Sequence, residues 1–269
     1  MPNPIQLALI KFRTQTRISP DEAAAFMAVD GTHERIAAGT EFVPRGRAPN
    51  SVNLVVDGLA ARAELSTKGT RQISAFYVAG DIPDLYSLTQ PITAWSLHAI
   101  TSCHVFRIPR QAMAELAIQF PGLMEAFWRY TVSNAIVAAE WVTNLGVRPA
   151  PQRVAHLLCE IAVKLGRHTE GQVAFDLPVT QNVLAEAAGI STVHMNRCLG
   201  TLRRMNLVRF DHSMVNIPDW RTLAEWAEFD ESYLTPHTPL RFYPESRGEV
   251  LGAVGMTHEA ADILGAAPS

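Results

Sequence analysis

Four arginines crowd into residues 190–210, at Arg197, Arg203, Arg204 and Arg209, and no Asp or Glu stands among them. A guanidinium carries planar, forked donors that match a guanine edge or phosphate oxygens, so an acid-free cluster suits a polyanionic partner. Shorter polar groups stand around it. Gln181, Ser191, Thr192, His194 and Asn196 can each reach a base edge or a phosphate. The net charge of −3 points away from nucleic acid when taken alone, but its distribution matters more than its sum. From residue 230 onward, Asp230, Glu231, Glu245, Glu249, Glu259 and Asp262 face only Arg241 and Arg247.

Other chemistries lack their residues. Cys103, Cys159 and Cys198 are far apart and odd in number, which argues against a disulfide framework or a Cys-x-x-Cys metal site. No cysteine precedes Cys103, where an iron–sulfur sensor would need a cluster of them. His33, His98 and His104 have no assigned role as haem ligands, and His98 and His104 stand six apart, unlike a His-x-His metal pair. No P-loop, GxGxxG or Ser/His/Asp order is present. The chain is expected not to be an enzyme and to need neither cofactor nor metal.

The basic cluster must be positioned by its surroundings. Thr180 can cap a helix running through Ala188, with Val183, Leu184 and Ala187 inward. Gly189 supplies a left-handed turn residue, and Ser191 caps a second helix. On that helix Val193, Leu199 and Leu202 are expected to face the core, Val193 at its edge. Two short helices meeting at a Gly turn are a helix-turn-helix. Residues 207–210 and 214–217 then read as two strands around Asp211, His212 and Ser213, a wing. A basic helix face can be merely solvated; the wing after it favours DNA.

Upstream, residues 19–29 read as a helix with Ser19 as N-cap, Pro20 at its first position and Asp21 and Glu22 in the first turn. Residues 32–108 hold short apolar runs split by Gly, Pro and Asn, the pattern of an antiparallel sheet closed into a roll. From Pro121 to Leu145 the pattern is helical. Met124, Trp128, Thr131, Ala135, Ala138, Val142 and Leu145 recur at four-three spacing, a coiled-coil seam. Leu123, Phe127, Tyr130, Val137 and Trp141 form a second stripe. Such a helix can lie on the roll with one face and on a twin helix with the other. Gly146 is expected to end it, with Arg148, Pro149, Ala150 and Pro151 as a stiff hinge. Residues 151–166 continue as a helix and residues 172–178 as a strand.

Four regions follow: a β-roll sensor domain (1–120), a dimerisation helix and hinge (121–147), a winged helix-turn-helix (148–230) and a weakly ordered tail (231–269). The fold class is α+β. The N-terminal apolar run at 7–10 precedes its basic residues, the reverse of a secretory signal, and no apolar stretch reaches membrane-spanning length. A cytoplasmic protein with no membrane partner is expected.

Residues 19 to about 230 resemble the Crp/Fnr family of bacterial transcription regulators. The resemblance rests on Leu-Ala-Glu-Ala-Ala-Gly-Ile-Ser (184–191) followed by Asn-Arg-x-Leu-x-x-Leu-Arg-Arg (196–204), and on AAGTEFVPRG, VVDGLAARAEL and FYVAGDIPD in the sensor half. It implies a cyclic-nucleotide-binding-like β-roll, a homodimer, a two-fold symmetric site on double-stranded DNA, and RNA polymerase as a partner. Many members read DNA with an Arg-Glu pair at the start of the recognition helix and a later Arg. Here Thr192 and Val193 stand at the pair and only Arg197 is kept, so a different operator is expected.

In ligand-binding members a loop with two Gly-Glu pairs and a following Arg holds the cyclic nucleotide. The corresponding loop here is degenerate: Gly80, Asp81, Ile82, Pro83, Asp84. Pro83 removes a backbone N–H, and residues 84–104 contain no Arg or Lys. A buried phosphate without its cation carries a penalty of several kcal/mol. Cyclic AMP is therefore not expected to bind unless a cation such as Lys68 or Arg71 reaches the loop. The effector stays open. The alternatives are an unidentified small ligand in the roll or, in a different class, a ligand-binding protein-interaction module, which would have little use for the arginine cluster.

Overall fold

The computed structural model describes residues 3–234, Lys68 and Thr169 excepted. Lys68 and the expected tail from residue 235 thus lie outside the described residues. Residues 231–234, which the sequence assigned to that tail, are built into the fold: Glu231–Tyr233 form a 3-10 turn, and the Tyr233 hydroxyl donates to Glu160 at 2.9 Å.

Two helices open the chain. α1 (Pro4–Arg13) went unread in the sequence; Ile5, Ala8, Leu9 and Phe12 are buried, the one-sided spacing of a helix laid on a core. α2 (Pro20–Met27) starts as expected, with Ser19 and Glu22 forming a reciprocal capping box. Seven strands follow: β1 (Thr32–Ile36), β2 (Glu41–Val43), β3 (Ser51–Asp57), β4 (Ala60–Leu65), β5 (Arg71–Tyr77), β6 (Ser96–Ala99) and β7 (Cys103–Pro109). They make two antiparallel sheets, ordered β1-β7-β3 and β2-β6-β4-β5, around Ile36, Phe42, Val55, Tyr77, Leu97 and Val105. This is the expected roll.

α3 (Arg110–Gln119) leads into the long helix α4 (Pro121–Val147). The start of α4 is closely packed: a Cβ on Gly122 would lie 2.3 Å from Glu22 Oε1, which accepts the Gly122 N–H and would have to shift. Gly146 does not end α4. The helix stops one residue later because Arg148 precedes Pro149 and is forced out of the helical region, to ψ 138°.

The two stripes of α4 part as the periodicity requires. Leu123, Phe127, Tyr130, Val137 and Trp141 are buried against the roll and α1. Phe127 and Tyr130 join Phe12 and Phe26 in an aromatic cluster with centroids 5.5–5.9 Å apart. Each such side chain contributes about 1.5–3 kcal/mol on burial. The other stripe faces outward: Met124 is 44% exposed, Trp128 56% and Val142 71%.

The C-terminal unit comprises α5 (Ala150–Lys164), β8 (Val173–Asp176), α6 (Gln181–Ala188), α7 (Thr192–Arg204), β9 (Arg209–Asp211), β10 (Met214–Ile217) and α8 (Trp220–Trp226). Its sheet runs β8-β10-β9. The break at Arg148–Pro149 separates elements but not cores. Ala61, Ile73 and Phe76 of the roll share one apolar cluster with Trp141, Leu158, Leu184 and Leu202.

Candidate nucleic-acid interface and sensor cavity

The helix-turn-helix forms through local capping. Thr180 Oγ1 accepts from Val183 N, and Ser191 Oγ accepts from His194 N. Gly189 turns between the helices at φ 64°, where an L side chain would be strained. On α7 the inward residues are Met195, Cys198 and Leu202. Val193 was expected at the core edge and is 65% exposed, while Leu199 is half-buried. The inward stripe runs 195, 198, 202, and position 193 falls on the opposite side.

The expected contact residues lie on the exposed surface of α7, at its N-cap and at the start of α6. Gln181, Ser191, Thr192, His194, Asn196, Arg197, Arg203 and Arg204 are all exposed. Ser191, His194 and Arg197 line one shallow groove with Thr201. Arg203 does not join them. It lines a second depression beside the wing, with Asn206, Arg209 and Asp211. Arg209, left out of the expected contact set, thereby extends the basic surface, and its strand position was the available signal. Among the described residues none of Arg197, Arg203, Arg204 and Arg209 forms an ion pair. Arg204 Nη2 donates to Thr201 Oγ1, and Arg209 Nη2 to Asn206 Oδ1. At the wing tip His212 has φ 55° and an exposed ring beside Asp211.

The loop at residues 80–84 is arranged quite differently. Asp81 accepts from Lys11 Nζ at 2.6 Å, from the Tyr130 hydroxyl and from Val78 N. Asp84 is fully buried and accepts from Asn53 N and Nδ2 at 2.8 and 2.6 Å. Burial pushes the Asp84 carboxyl up to about 6 despite those two bonds. Both carboxylates therefore serve the framework. Gly80 packs against α1, and Pro83 lines a cavity of about 270 Å³ between the roll and α4.

One cation does enter that cavity. Arg62, from β4, lies with its guanidinium 4.7 Å from the Trp95 ring centroid and donates to Ser74 Oγ and O. Neither cation named from the sequence takes that place: Arg71 pairs with Glu186, and Lys68 lies outside the described residues. Thr131, Ala135 and Ala138 of the outward α4 stripe line the cavity with Tyr77, Tyr86 and Trp95. Of the histidines, His33 Nδ1 and His104 Nε2 lie 2.9 Å apart on β1 and β7; among the described residues no three His, Cys, Asp or Glu form a metal-binding group. Among the described residues no helix is long and apolar enough to cross a membrane.

Known proteins agree with this geometry. Residues 152–226 match the model of a Crp-like helix-turn-helix domain. The chain is 26% identical over 202 residues to the transcriptional activator protein FnrL of Cereibacter sphaeroides, covering 72% of this chain and 79% of that one. It is 24% identical over 186 residues to a probable transcriptional activator of Rhizobium leguminosarum bv. viciae, covering 69% and 77%. Among solved structures, FixK2 of Bradyrhizobium japonicum superposes with a TM-score of 0.67 at 22% identity, over 74% of this chain and 98% of that one. A CRP/FNR-family transcriptional regulator of Thermus thermophilus superposes at 0.59 with 19% identity, over 73% and 98%. Residues 152–226 thus form a Crp-like helix-turn-helix domain, and the roll and long helix ahead of it are similar in fold to those of Crp/Fnr-family transcription regulators.

Proposed function

We propose that the chain binds a two-fold symmetric operator as a homodimer, with α4 pairing through Met124, Trp128, Thr131, Ala135, Ala138, Val142 and Leu145. In this reading α7 enters the major groove with its N-terminal residues toward the bases. Arg197 bridges guanine O6 and N7, with Ser191, Thr192, His194 and Asn196 beside it. Gln181, Arg203 and Arg204 hold phosphates and set the register. RNA polymerase is the further partner this role implies. The observation that carries the proposal is the exposed face of α7, whose arginines lack carboxylate partners among the described residues.

The test is selection from a random duplex library, followed by stoichiometry on the selected fragment. Two protomers on half-sites roughly 10 base pairs apart are expected, following the general spacing rule for such dimers, whose examples include a relative of this chain. Binding as a monomer, or no sequence preference, would overturn the proposal.

The sensor is read as not binding cyclic AMP. Asp81 and Asp84 are already engaged within the fold and offer a nucleotide no free group. Arg62 over Trp95 supports a second reading of the sensor cavity, a small planar anion held by the guanidinium between aromatic rings. Thermal-shift screening of aromatic carboxylates against the native protein and Arg62→Met separates the two readings.

A further inference from the structure

A continuous set of hydrogen bonds runs from the sensor sheet to the first residue of the recognition helix. Arg71 of β5 holds Glu186 of α6, with Nη2 2.7 Å from Oε2 and Nε donating to the same oxygen at 2.8 Å. Both side chains are largely covered, at 22% and 18% exposure. The other carboxylate oxygen, Oε1, accepts from Asn182 Nδ2 at 3.0 Å. Asn182 Oδ1 then lies 3.0 Å from Thr192 Oγ1.

The chemistry of this chain of contacts has only one sense. A carboxylate accepts and cannot donate, so the Asn182 amide must turn its NH2 toward Glu186. Its carbonyl oxygen is thereby aimed at Thr192, and that oxygen can only accept. The Thr192 hydroxyl must spend its single proton inward on Asn182, which leaves its oxygen lone pairs and its methyl group outward. Without Arg71, Glu186 is released; without Asn182, the hydroxyl rotates freely and can donate or accept.

In the major groove, adenine N6 and cytosine N4 are donors, whereas guanine presents only the acceptors O6 and N7. We infer that Arg71, a residue of the sensor sheet, is a positioning residue for base selection: through Glu186 and Asn182 it holds Thr192 as a hydrogen-bond acceptor, so that this position favours an amino-bearing base edge over guanine. The inference rests on the proposed placement of α7 in the major groove. Arg71 reaches no base itself. It acts through two side chains of the preceding helix. Because β5 also carries Ser74, which Arg62 grips at the cavity, the sensor sheet touches the base-reading position by a short covalent and hydrogen-bonded route.

The test uses the full-length protein and a selected operator substituted at each base pair. The native protein should prefer adenine or cytosine over guanine at the Thr192 position by about fivefold, the size of one neutral hydrogen bond. Asn182→Ala and Arg71→Met should each reduce that preference to about twofold or less. Affinity for random-sequence DNA and its salt dependence should stay near native values in both; the melting temperature should stay near native in Asn182→Ala and fall in Arg71→Met, which leaves the largely covered Glu186 without its cation. Thr192→Val, nearly isosteric, should remove the preference and make Asn182→Ala silent when the two are combined. Unchanged base preference in Asn182→Ala and Arg71→Met, with Thr192→Val still altering it, would overturn the relay. No effect of Thr192→Val would overturn the base contact itself. A native protein without any sequence preference would instead sink the proposed DNA reading, a result distinct from both.

Discussion

The helix α7 keeps its arginines outside and, among the described residues, without ion-pair partners, while the β-roll keeps the charges of its loop inside and engaged. On α7, Arg197 and Arg203 extend from a helix whose opposite face, Met195, Cys198 and Leu202, is buried. In the roll, Asp81 meets Lys11 and Tyr130, and Asp84 meets Asn53. A guanidinium without an internal partner keeps its full attraction for a polyanion. A buried carboxylate whose lone pairs are satisfied has little left for a ligand, and releasing it would leave buried donors unpaired. One fold thus holds an exposed basic face on α7 and, at residues 80–84, a loop whose carboxylates are spent on the framework. α4 joins them: its inward face is shared core, and its outward face walls the cavity and carries the stripe proposed above as the pairing seam.

The largest test of this contrast concerns the seam. Met124 and Val142 are exposed and lie off the cavity wall, so Met124→Glu with Val142→Glu should leave the fold intact. It should give monomers in sedimentation and weaken operator binding by roughly 10²–10⁴-fold, the gain expected of two linked sites. A dimeric double variant would place the interface elsewhere.

Next come the exposed arginines. Arg197→Ala should cost about 1–3 kcal/mol and relax specificity at one base pair per half-site. Arg204→Ala should weaken all sequences alike and lower the salt slope by about one unit. Fluorescence anisotropy across an operator series at several salt concentrations distinguishes them. Equal losses on every sequence for Arg197→Ala would move Arg197 to the backbone.

A smaller effect is expected inside the roll. The Asp84 carboxyl is raised from its ordinary 3.8 to about 6 by burial, so the folded protein binds the proton more tightly than the unfolded chain. Its contribution to stability is therefore full below 3.8 and is lost as pH rises through about 6. Asp84→Asn should remove that loss and raise Tm by a few degrees at neutral pH relative to the native protein. The buried Asn53 Oδ1, which has no partner, becomes an acceptor for the new amide if Asn53 turns over. Calorimetry from pH 4 to 8 reads this directly; identical pH profiles would mean that Asp84 stays ionised in the fold.

The smallest expected effect is none. Cyclic AMP or cyclic GMP at millimolar concentration should leave DNA affinity unchanged, because Pro83 and the engaged aspartates offer the phosphate and ribose no site. Calorimetric binding at micromolar concentration would show that Arg62 substitutes for the family's cation.

The amino-acid sequence by itself determined whatever depends on neighbours a few residues apart. Ser19, Thr180 and Ser191 cap the next turn of their own helices, Gly189 permits its own left-handed backbone, and the two stripes of α4 follow from helical repeat. The basic face of α7 was legible for the same reason. Tertiary structure alone decided the rest. Lys11 reaches Asp81 across 70 positions, Arg71 reaches Glu186 across 115, and Arg62 of β4 finds Trp95 in the loop before β6. No periodicity encodes such pairs, because the closure of the roll and the docking of α6 on β5 bring them together. α1 escaped for a related reason. Its one-sided stripe of Ile5, Ala8, Leu9 and Phe12 gains its meaning only from the core elsewhere in the chain that covers it.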